Sequence, residues 1–209
     1  MEDCREKSIK KIIVLLVFLQ LLLFTIEQCF FIFFKRTDYF DSMVTMFGMI
    51  VITILFIIFT RKKNISLSIL PNKFGMFYIL ITIIATILLI ATPSNFTGGI
   101  QPITLLVYGS IVTPVFEELI FRGYVWNKLN TIFLKEWKTY IVCTLLFALW
   151  HIGYISSIAF RVENGLAKVM IWKVITGLCF GIILGAVRLK AKNTYSTILL
   201  HGVLNIFGR

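Results

Sequence analysis

The chain has 209 residues, of which 58% are hydrophobic and 20 are phenylalanine, and its mean hydropathy is +0.91. This composition excludes an ordinary water-soluble domain and predicts a single polytopic membrane domain that spans residues 1–209. The formal net charge of +11 could suggest a nucleic-acid partner, but the basic residues occur in short clusters between apolar runs. The charge therefore indicates membrane topology, and no nucleic-acid partner is expected.

Three apolar runs in the first half of the chain are long enough to cross a bilayer as helices. They cover residues 12–34, 43–60 and 74–91, and a crossing helix needs about 20 residues. The first run is longer than the apolar region of a signal peptide and lacks a small-residue cleavage site, so it is predicted to remain as a membrane helix. Residues 1–100 are thus predicted to form three N-terminal helices.

Four further apolar runs follow in residues 101–209. The fourth runs from about residue 103 to 116 and on into a pair of glutamates, and Pro114 is expected to bend it. Residues 125–137 have the pattern of an interfacial amphipathic helix. Runs 140–160, 169–187 and 194–207 complete an all-α fold of about seven transmembrane helices. The sixth carries glycines at four-residue spacing, which predicts close helix packing: Gly177, Gly181 and Gly185.

The distribution of lysine and arginine predicts the orientation of these helices. If the N-terminus is cytoplasmic, 15 of the 21 basic residues fall on the cytoplasmic side. This positive-inside bias predicts an integral membrane protein with a cytoplasmic N-terminus.

Two adjacent carboxylates and an arginine interrupt the fourth apolar run. Residues four apart share a helix face, so Glu118 is predicted to pair with Arg122 while Glu117 faces elsewhere. A carboxylate without a counter-ion inside a membrane protein is a functional candidate, and Glu117 is our predicted general base. The alternative is that all three residues are solvated at the membrane surface.

The two histidines of the chain lie within later apolar runs. In the predicted topology His151 and His201 lie at a depth similar to that of Glu117, in the inner half of the membrane, so the three side chains could share a cavity open to the cytoplasm. Asn205 follows His201 by four residues and could orient its imidazole or donate to a developing negative charge. Phe147 lies one turn before His151 and is expected to pack beside it.

Three short motifs in the second half of the chain resemble those of a known protease family. E-E-L-I-F-R at 117–122, F-A-L-W-H at 147–151 and H-G-V-L-N at 201–205 are similar to the E-E-x-x-x-R, F-x-x-x-H and H-x-x-x-N motifs of the CPBP family. This family comprises the CAAX-protease and bacteriocin-processing intramembrane proteases, also called Abi. The resemblance covers about residues 103–207.

The resemblance implies an endopeptidase that cleaves a membrane-associated or lipidated peptide. It implies that Glu117 activates water with help from His151, that His201 and Asn205 stabilise the oxyanion, and that Glu118 and Arg122 shape the site. Family members are often described as metalloproteases, so a divalent metal such as zinc is a possible cofactor, held by Glu117, His151 and His201. A metal-free mechanism with a glutamate-activated water is the alternative. The resemblance further implies that residues 101–209 form the catalytic core. The implied biological context is bacteriocin processing or peptide maturation in a bacterial cell membrane.

Two other functions are compatible with the same residues. A non-catalytic immunity or peptide-binding protein could use the same cavity without cleaving its ligand. A proton-coupled transporter could use buried Glu and His as relays, but such transporters usually contain repeated halves, and the chain shows no internal repeat.

Overall fold

The fold is all-helical in this computed structural model, which describes residues 2–207 apart from the side chains of residues 2–4, 94 and 97. Seven helices follow one another in the described part of the chain, and no strand occurs there. They are α1 (Glu2–Phe31), α2 (Asp38–Lys62), α3 (Met76–Ala91), α4 (Ile100–Phe133), α5 (Glu136–Arg161), α6 (Leu166–Ala191) and α7 (Tyr195–Phe207), with one further helical turn at Ser94–Thr97.

Five of these helices are long and apolar enough to cross a membrane: α1, α2, α4, α5 and α6. Helix α3 has 16 residues and α7 has 13, which is short for a full crossing. The all-α membrane fold is therefore confirmed, whereas the number of seven crossings stays a prediction.

The surface of the bundle is apolar and much of its interior is polar. Phe33 is 81% exposed, whereas Glu117, Glu118, Arg122 and His201 are at most 3% exposed. Ionisable groups inside a membrane protein normally face the bundle interior. This arrangement identifies an integral membrane protein, in which the lipid-facing side chains are apolar and the charged ones are enclosed.

Helix α4 differs from the prediction in its length. It continues as one helix of 34 residues to Phe133, so the expected interfacial amphipathic helix is the last part of α4. Trp126 and Leu129 are buried there, and Trp137 belongs to α5. Residues 125–133 bury part of their apolar face against the bundle, and their interfacial position stays a prediction. Glu117 lies near the middle of α4, about 25 Å from either end.

Glycines join α5 and α6 at close range, as their spacing predicted. A Cβ atom added to Gly181 would lie 3.0 Å from the Thr144 methyl, and one added to Gly185 would lie 2.5 Å from the Tyr140 ring. The hydroxyl of Thr144 donates to the Gly181 carbonyl at 3.1 Å. These glycines therefore allow the backbones of α5 and α6 to approach closely, which fixes the position of α5 beside α6.

Polar contacts hold the ends of several helices at one end of the bundle. Asp41 is fully buried and accepts hydrogen bonds from Arg36, Ser157 and Arg161. We call these four residues the Asp41 cluster. It ties the segment after α1 and the start of α2 to the last turns of α5.

The opposite end of the bundle is closed by a second set of polar contacts. Asn127 donates to Ser66 and Ser68, and the amide of Thr194 donates to the Ser68 carbonyl at 2.8 Å. The guanidinium of Arg188 donates to Asn127 Oδ1 at 3.0 Å. The loop after α2, α4, the end of α6 and the start of α7 are thereby connected.

Candidate active site

Helix α4 contains two π-helical segments that flank the glutamate pair. Tyr108–Val112 precedes them and Leu119–Val125 follows them. Proline at position 114 cannot donate a backbone hydrogen bond, and it lies directly after the first segment. Pro114 therefore coincides with a helix distortion, as predicted, although the distortion consists of widened turns before and after the glutamates.

The widened turns leave backbone carbonyls that other helices use. The Gly109 carbonyl accepts from Asn205 Nδ2 at 2.7 Å, the Phe121 carbonyl from Cys143 Sγ at 3.3 Å, and the Arg122 carbonyl from Arg188 Nε at 2.9 Å. A backbone carbonyl inside a membrane protein needs such a partner. The two segments thus attach α4 to α5, α6 and α7 around the glutamates.

Glu118 forms the predicted ion pair with Arg122. Arg122 Nη1 lies 3.0 Å from Glu118 Oε1, and both side chains are at most 1% exposed. The same carboxylate oxygen accepts a hydrogen bond from His201 Nδ1 at 2.9 Å. A carboxylate can only accept here, so Nδ1 carries the proton and Nε2 is the remaining nitrogen of the ring. Glu118 therefore orients both Arg122 and His201.

Glu117 lies beside His201 and has a partner that the sequence analysis missed. Its Oε2 is 3.9 Å from His201 Nε2, and its Oε1 accepts a hydrogen bond from the Tyr154 hydroxyl at 2.6 Å. Trp150 Nε1 in turn donates to the Tyr154 oxygen at 3.1 Å. Tyr154 reaches Glu117 because residues 151–154 form a 3-10 turn inside α5. Regular helical spacing could also have indicated Tyr154, since it follows His151 by three residues and such residues share a helix face.

His151 is fixed by backbone and ring contacts. Its Nδ1 donates to the Phe147 carbonyl at 2.8 Å, and its ring packs edge-on against Phe147, with centroids 5.0 Å apart. Phe147 also lies under the Arg122 guanidinium, 4.1 Å from the ring centroid, and against His201 at 6.1 Å. The expected packing of Phe147 beside His151 is confirmed, and Phe147 additionally supports Arg122 and His201.

Helix α1 also supports the 3-10 turn that carries His151. Gln20 Nε2 donates to the Trp150 carbonyl at 3.0 Å. A Cβ atom on Gly153 would lie within 2.5 Å of the Gln20 side chain, so glycine is needed for this close approach. Because Gln20 has no place in the three motifs, the sequence offered no signal for this contact.

Asn205 differs from the prediction in its partner. Its amide nitrogen donates to the Gly109 carbonyl, whereas the imidazole of His201 is held by Glu118. The expectation that Asn205 orients His201 is therefore wrong. The cause is the π-helical segment of α4, whose unpaired carbonyl attracts the amide. The second N–H of Asn205 Nδ2 stays available to a ligand.

One cavity of about 300 Å³ brings the proposed catalytic side chains together. Its size lies within the usual range of ligand-binding pockets. The lining comprises residues of α2, α4, α5, α6 and α7, including Glu117, His151, Tyr154, His201, Asn205, Thr45, Ser157, Arg161 and Lys173.

The cavity extends in a direction that the sequence analysis did not predict. Its lining runs from Glu117 to Ser157 and Arg161, which belong to the Asp41 cluster. The count of basic residues assigns this end of the bundle to the outer side. A cavity open to the cytoplasm and a cytoplasmic N-terminus are therefore two predictions that this lining does not allow together. The conflict arose because α4 was expected to end soon after Glu117, whereas the helix continues to Phe133.

The residues suggested for a metal ion do not form a ligand set in this structure. Among residues 2–207, no three His, Cys, Asp or Glu side chains lie close enough to bind one metal ion. Glu117 and His201 face each other, but a zinc site of the hydrolase type needs three protein ligands. We therefore derive no catalytic step from a metal.

Comparison with known proteins identifies the family. Residues 99–207, just over half of the chain, match the family model described as type II CAAX prenyl endopeptidase Rce1-like. The chain belongs to the Rce1-like family. No curated protein and no solved structure matches this chain. The match includes α4 to α7 and therefore every residue proposed for catalysis, while α1 to α3 lie before it.

The family match confirms the resemblance that the three motifs indicated. This Rce1-like chain is a CAAX-type intramembrane protease of the CPBP family. The match to the family model gives no information on a bound metal, on bacteriocin processing or on the roles of individual side chains, so these stay predictions.

Proposed function

We propose that this Rce1-like chain hydrolyses a peptide bond of a lipidated or membrane-associated peptide by activating water with Glu117. The observation that supports this most directly is the meeting of Glu117 and His201 within one cavity, 3.9 Å apart and almost completely buried. A buried carboxylate next to a space that can hold water and a peptide carbonyl has the geometry of a general base. In this proposal residues 101–209 are the catalytic core, and α1 to α3 support it.

The first chemical step is the attack of water on the peptide carbonyl carbon. Glu117 Oε2 takes a proton from the water while the new C–O bond forms, and the carbonyl oxygen becomes an oxyanion. His151 assists by binding the water, since its Nδ1 is occupied by the Phe147 carbonyl and its Nε2 is left for the cavity. The Tyr154 hydroxyl holds Glu117 in position for this transfer.

The oxyanion is stabilised by the second N–H of Asn205 and by His201 Nε2 in the imidazolium form, in which both ring nitrogens carry a proton. Because Glu118 accepts from His201 Nδ1, its carboxylate stabilises the positively charged imidazolium when Nε2 is also protonated. Arg122 forms an ion pair with Glu118, which partly offsets the negative charge of the carboxylate and fixes its position. In the second step the C–N bond breaks, and the proton on Glu117 passes to the leaving amine nitrogen. Atoms and charges balance without a metal ion.

The decisive experiment is the substitution Glu117→Gln, tested on a peptide that carries an S-farnesylated cysteine followed by three residues. Glutamine preserves the shape of glutamate but cannot take a proton from water, so the cleavage rate should fall by about 10²–10⁴. Mass spectrometry of the purified, detergent-solubilised protein with this peptide measures both the rate and the cleaved bond. Size-exclusion chromatography checks that the variant is folded.

The matched control is Glu163→Gln, which alters an exposed glutamate in the segment between α5 and α6. This variant should cleave at the wild-type rate. Wild-type cleavage by Glu117→Gln would contradict the proposed mechanism. If the wild-type protein binds the peptide without cleaving it, the alternative of a non-catalytic immunity or peptide-binding protein is favoured.

A further inference from the structure

The mouth of the cavity contains two basic side chains with different surroundings. Arg161 Nη2 donates to Asp41 Oδ2 and to Ser42 Oγ, both at 2.8 Å. The guanidinium of Arg161 is thus held by the Asp41 carboxylate, which Arg36 also contacts. Lys173 also lines the cavity and is exposed there, but no salt-bridge partner for its ammonium group occurs in the described part of the chain.

Lys173 lies inside a membrane-spanning helix, on the face that forms the catalytic cavity. It is the eighth residue of α6, about 10 Å along the helix from Leu166. Gly177 follows one turn later, and a Cβ atom there would lie 2.6 Å from His151 Nδ1. Residues four apart share a helix face, so Lys173 faces the same side as the contact with His151. Lysines near helix ends often extend their ammonium group to the membrane surface. Such a role does not require the side chain to line the catalytic cavity, as Lys173 does.

The carboxylates around the cavity already have partners of their own. Tyr154 donates to Glu117, Thr45 donates to Glu27 at 2.6 Å, and three side chains donate to Asp41. None of these carboxylates forms a salt bridge with Lys173, so its ammonium group is left for an anionic ligand. A single charge in a partly enclosed site favours a monoanion, and the carboxylate is the monoanion that peptides carry.

We infer that Lys173 binds a carboxylate of the peptide that is being cleaved. This inference rests on the proposed peptidase function and names a feature of its substrate. The backbone of Lys173 lies one helix turn from Gly177, the part of α6 that touches His151. The carboxylate therefore belongs within a few residues of the cleaved bond, since an extended peptide advances about 3.3–3.6 Å per residue. It is either the C-terminal carboxylate or the side chain of an aspartate or glutamate.

The test measures binding separately from cleavage. Three fluorescent peptides carry an S-farnesylated cysteine and three further residues: one ends in a free carboxylate, one in an amide, and one in an amide after an aspartate. Their affinities for the Glu117→Gln protein in detergent micelles are measured by fluorescence anisotropy. We expect the amide without aspartate to bind about tenfold more weakly than the free acid, which corresponds to about 1.4 kcal/mol.

Two methionine substitutions on α6 decide whether Lys173 is responsible. Lys173→Met should remove the preference for a carboxylate, whereas Lys168→Met should keep it, because Lys168 is on the same helix but does not line the cavity. If the amide with aspartate binds as tightly as the free acid, the carboxylate can come from a side chain. If it binds as weakly as the other amide, the site recognises the C-terminus.

Equal affinity for all three peptides, a preference that survives Lys173→Met, or no measurable binding would overturn the inference. The proposed peptidase function is judged by a different result, namely the cleavage rates of the wild-type and Glu117→Gln proteins. A wild-type protein that binds carboxylates through Lys173 but cleaves nothing would refute the peptidase function and leave the binding site standing.

Discussion

Tyr154 is the residue that holds the proposed base in place. Its hydroxyl donates to Glu117 Oε1 at 2.6 Å and accepts from Trp150 Nε1. Tyr154→Phe removes a hydrogen bond to a charged group, which typically contributes about 1.5–3 kcal/mol. We expect kcat to fall about 10- to 100-fold with little change in KM, as measured with the farnesylated peptide.

Tyr124→Phe is the matched control for this prediction. Tyr124 packs edge-on against Phe56 outside the cavity, so loss of its hydroxyl should leave kcat unchanged. A Tyr154→Phe variant with the wild-type kcat would show that Glu117 does not depend on this hydrogen bond.

Arg122 is expected to be essential for stability because its partner is completely buried. Arg122→Met leaves Glu118 without its counter-ion, and breaking a buried ion pair in this way costs about 3–5 kcal/mol. Glu6 and Lys10 offer a matched pair with the same four-residue spacing, but their side chains are 64% and 70% exposed. Lys10→Met should cost only about 0.3–0.5 kcal/mol. Unfolding in detergent measures both variants, and equal losses of stability would contradict this prediction.

At the scale of whole elements, the contact between α5 and α6 determines the position of His151. A Cβ atom on Gly177 would lie 2.6 Å from His151 Nδ1, so Gly177→Ala must displace the imidazole or separate the helices. A displacement of 1 Å in an active site can reduce the rate about a hundredfold. We expect a loss of this size in kcat/KM from Gly177→Ala.

Gly75→Ala serves as the control for the glycine prediction, since no atom lies within 4 Å of a Cβ at that position. Its kcat/KM should equal that of the wild-type protein. If Gly177→Ala is equally active, the distance between α5 and α6 does not control catalysis.

At the scale of the whole molecule, the open point is whether α3 crosses the membrane. If all seven helices cross with the N-terminus inside, residue 73 is cytoplasmic and residue 96 is external. Single cysteines introduced as Lys73→Cys and Phe96→Cys into a cysteine-free protein test this with a membrane-impermeant maleimide on intact bacterial host cells. We expect labelling of Phe96→Cys alone. Labelling of both, or of neither until the cells are lysed, would show that α3 does not cross.

Much of this fold could be predicted from the sequence because lipid imposes simple rules. Apolar length identified the helices, and helical spacing identified the pair of Glu118 with Arg122, which the structure contains. The glycine spacing of α6 likewise indicated a close contact that occurs at Gly181. Each of these predictions needed only regular helix geometry.

The parts that could not be predicted depend on departures from regular helix geometry. Asn205 binds Gly109 because a π-helical segment leaves that carbonyl without an α-helical partner. Tyr154 is an exception, because its three-residue spacing from His151 already predicts a shared helix face. The predicted direction of the cavity conflicts with the predicted orientation because the end of α4 was placed too early. Regular spacing cannot indicate such features, since they depend on how helices far apart in the chain satisfy one another's backbone groups.

The π-helical segments determine where α4 can change its number of residues. Each such turn accommodates one residue more than an α-helical turn. Deleting one residue from Tyr108–Val112 would let this stretch close as a regular α-helical turn, so Glu117 would still face His201. Deleting one residue from a regular α-helical turn of α4 would instead rotate everything after it by about 100° relative to what precedes it. The widened turns are therefore the parts of α4 in which a lost residue should disturb the orientation of the glutamates least.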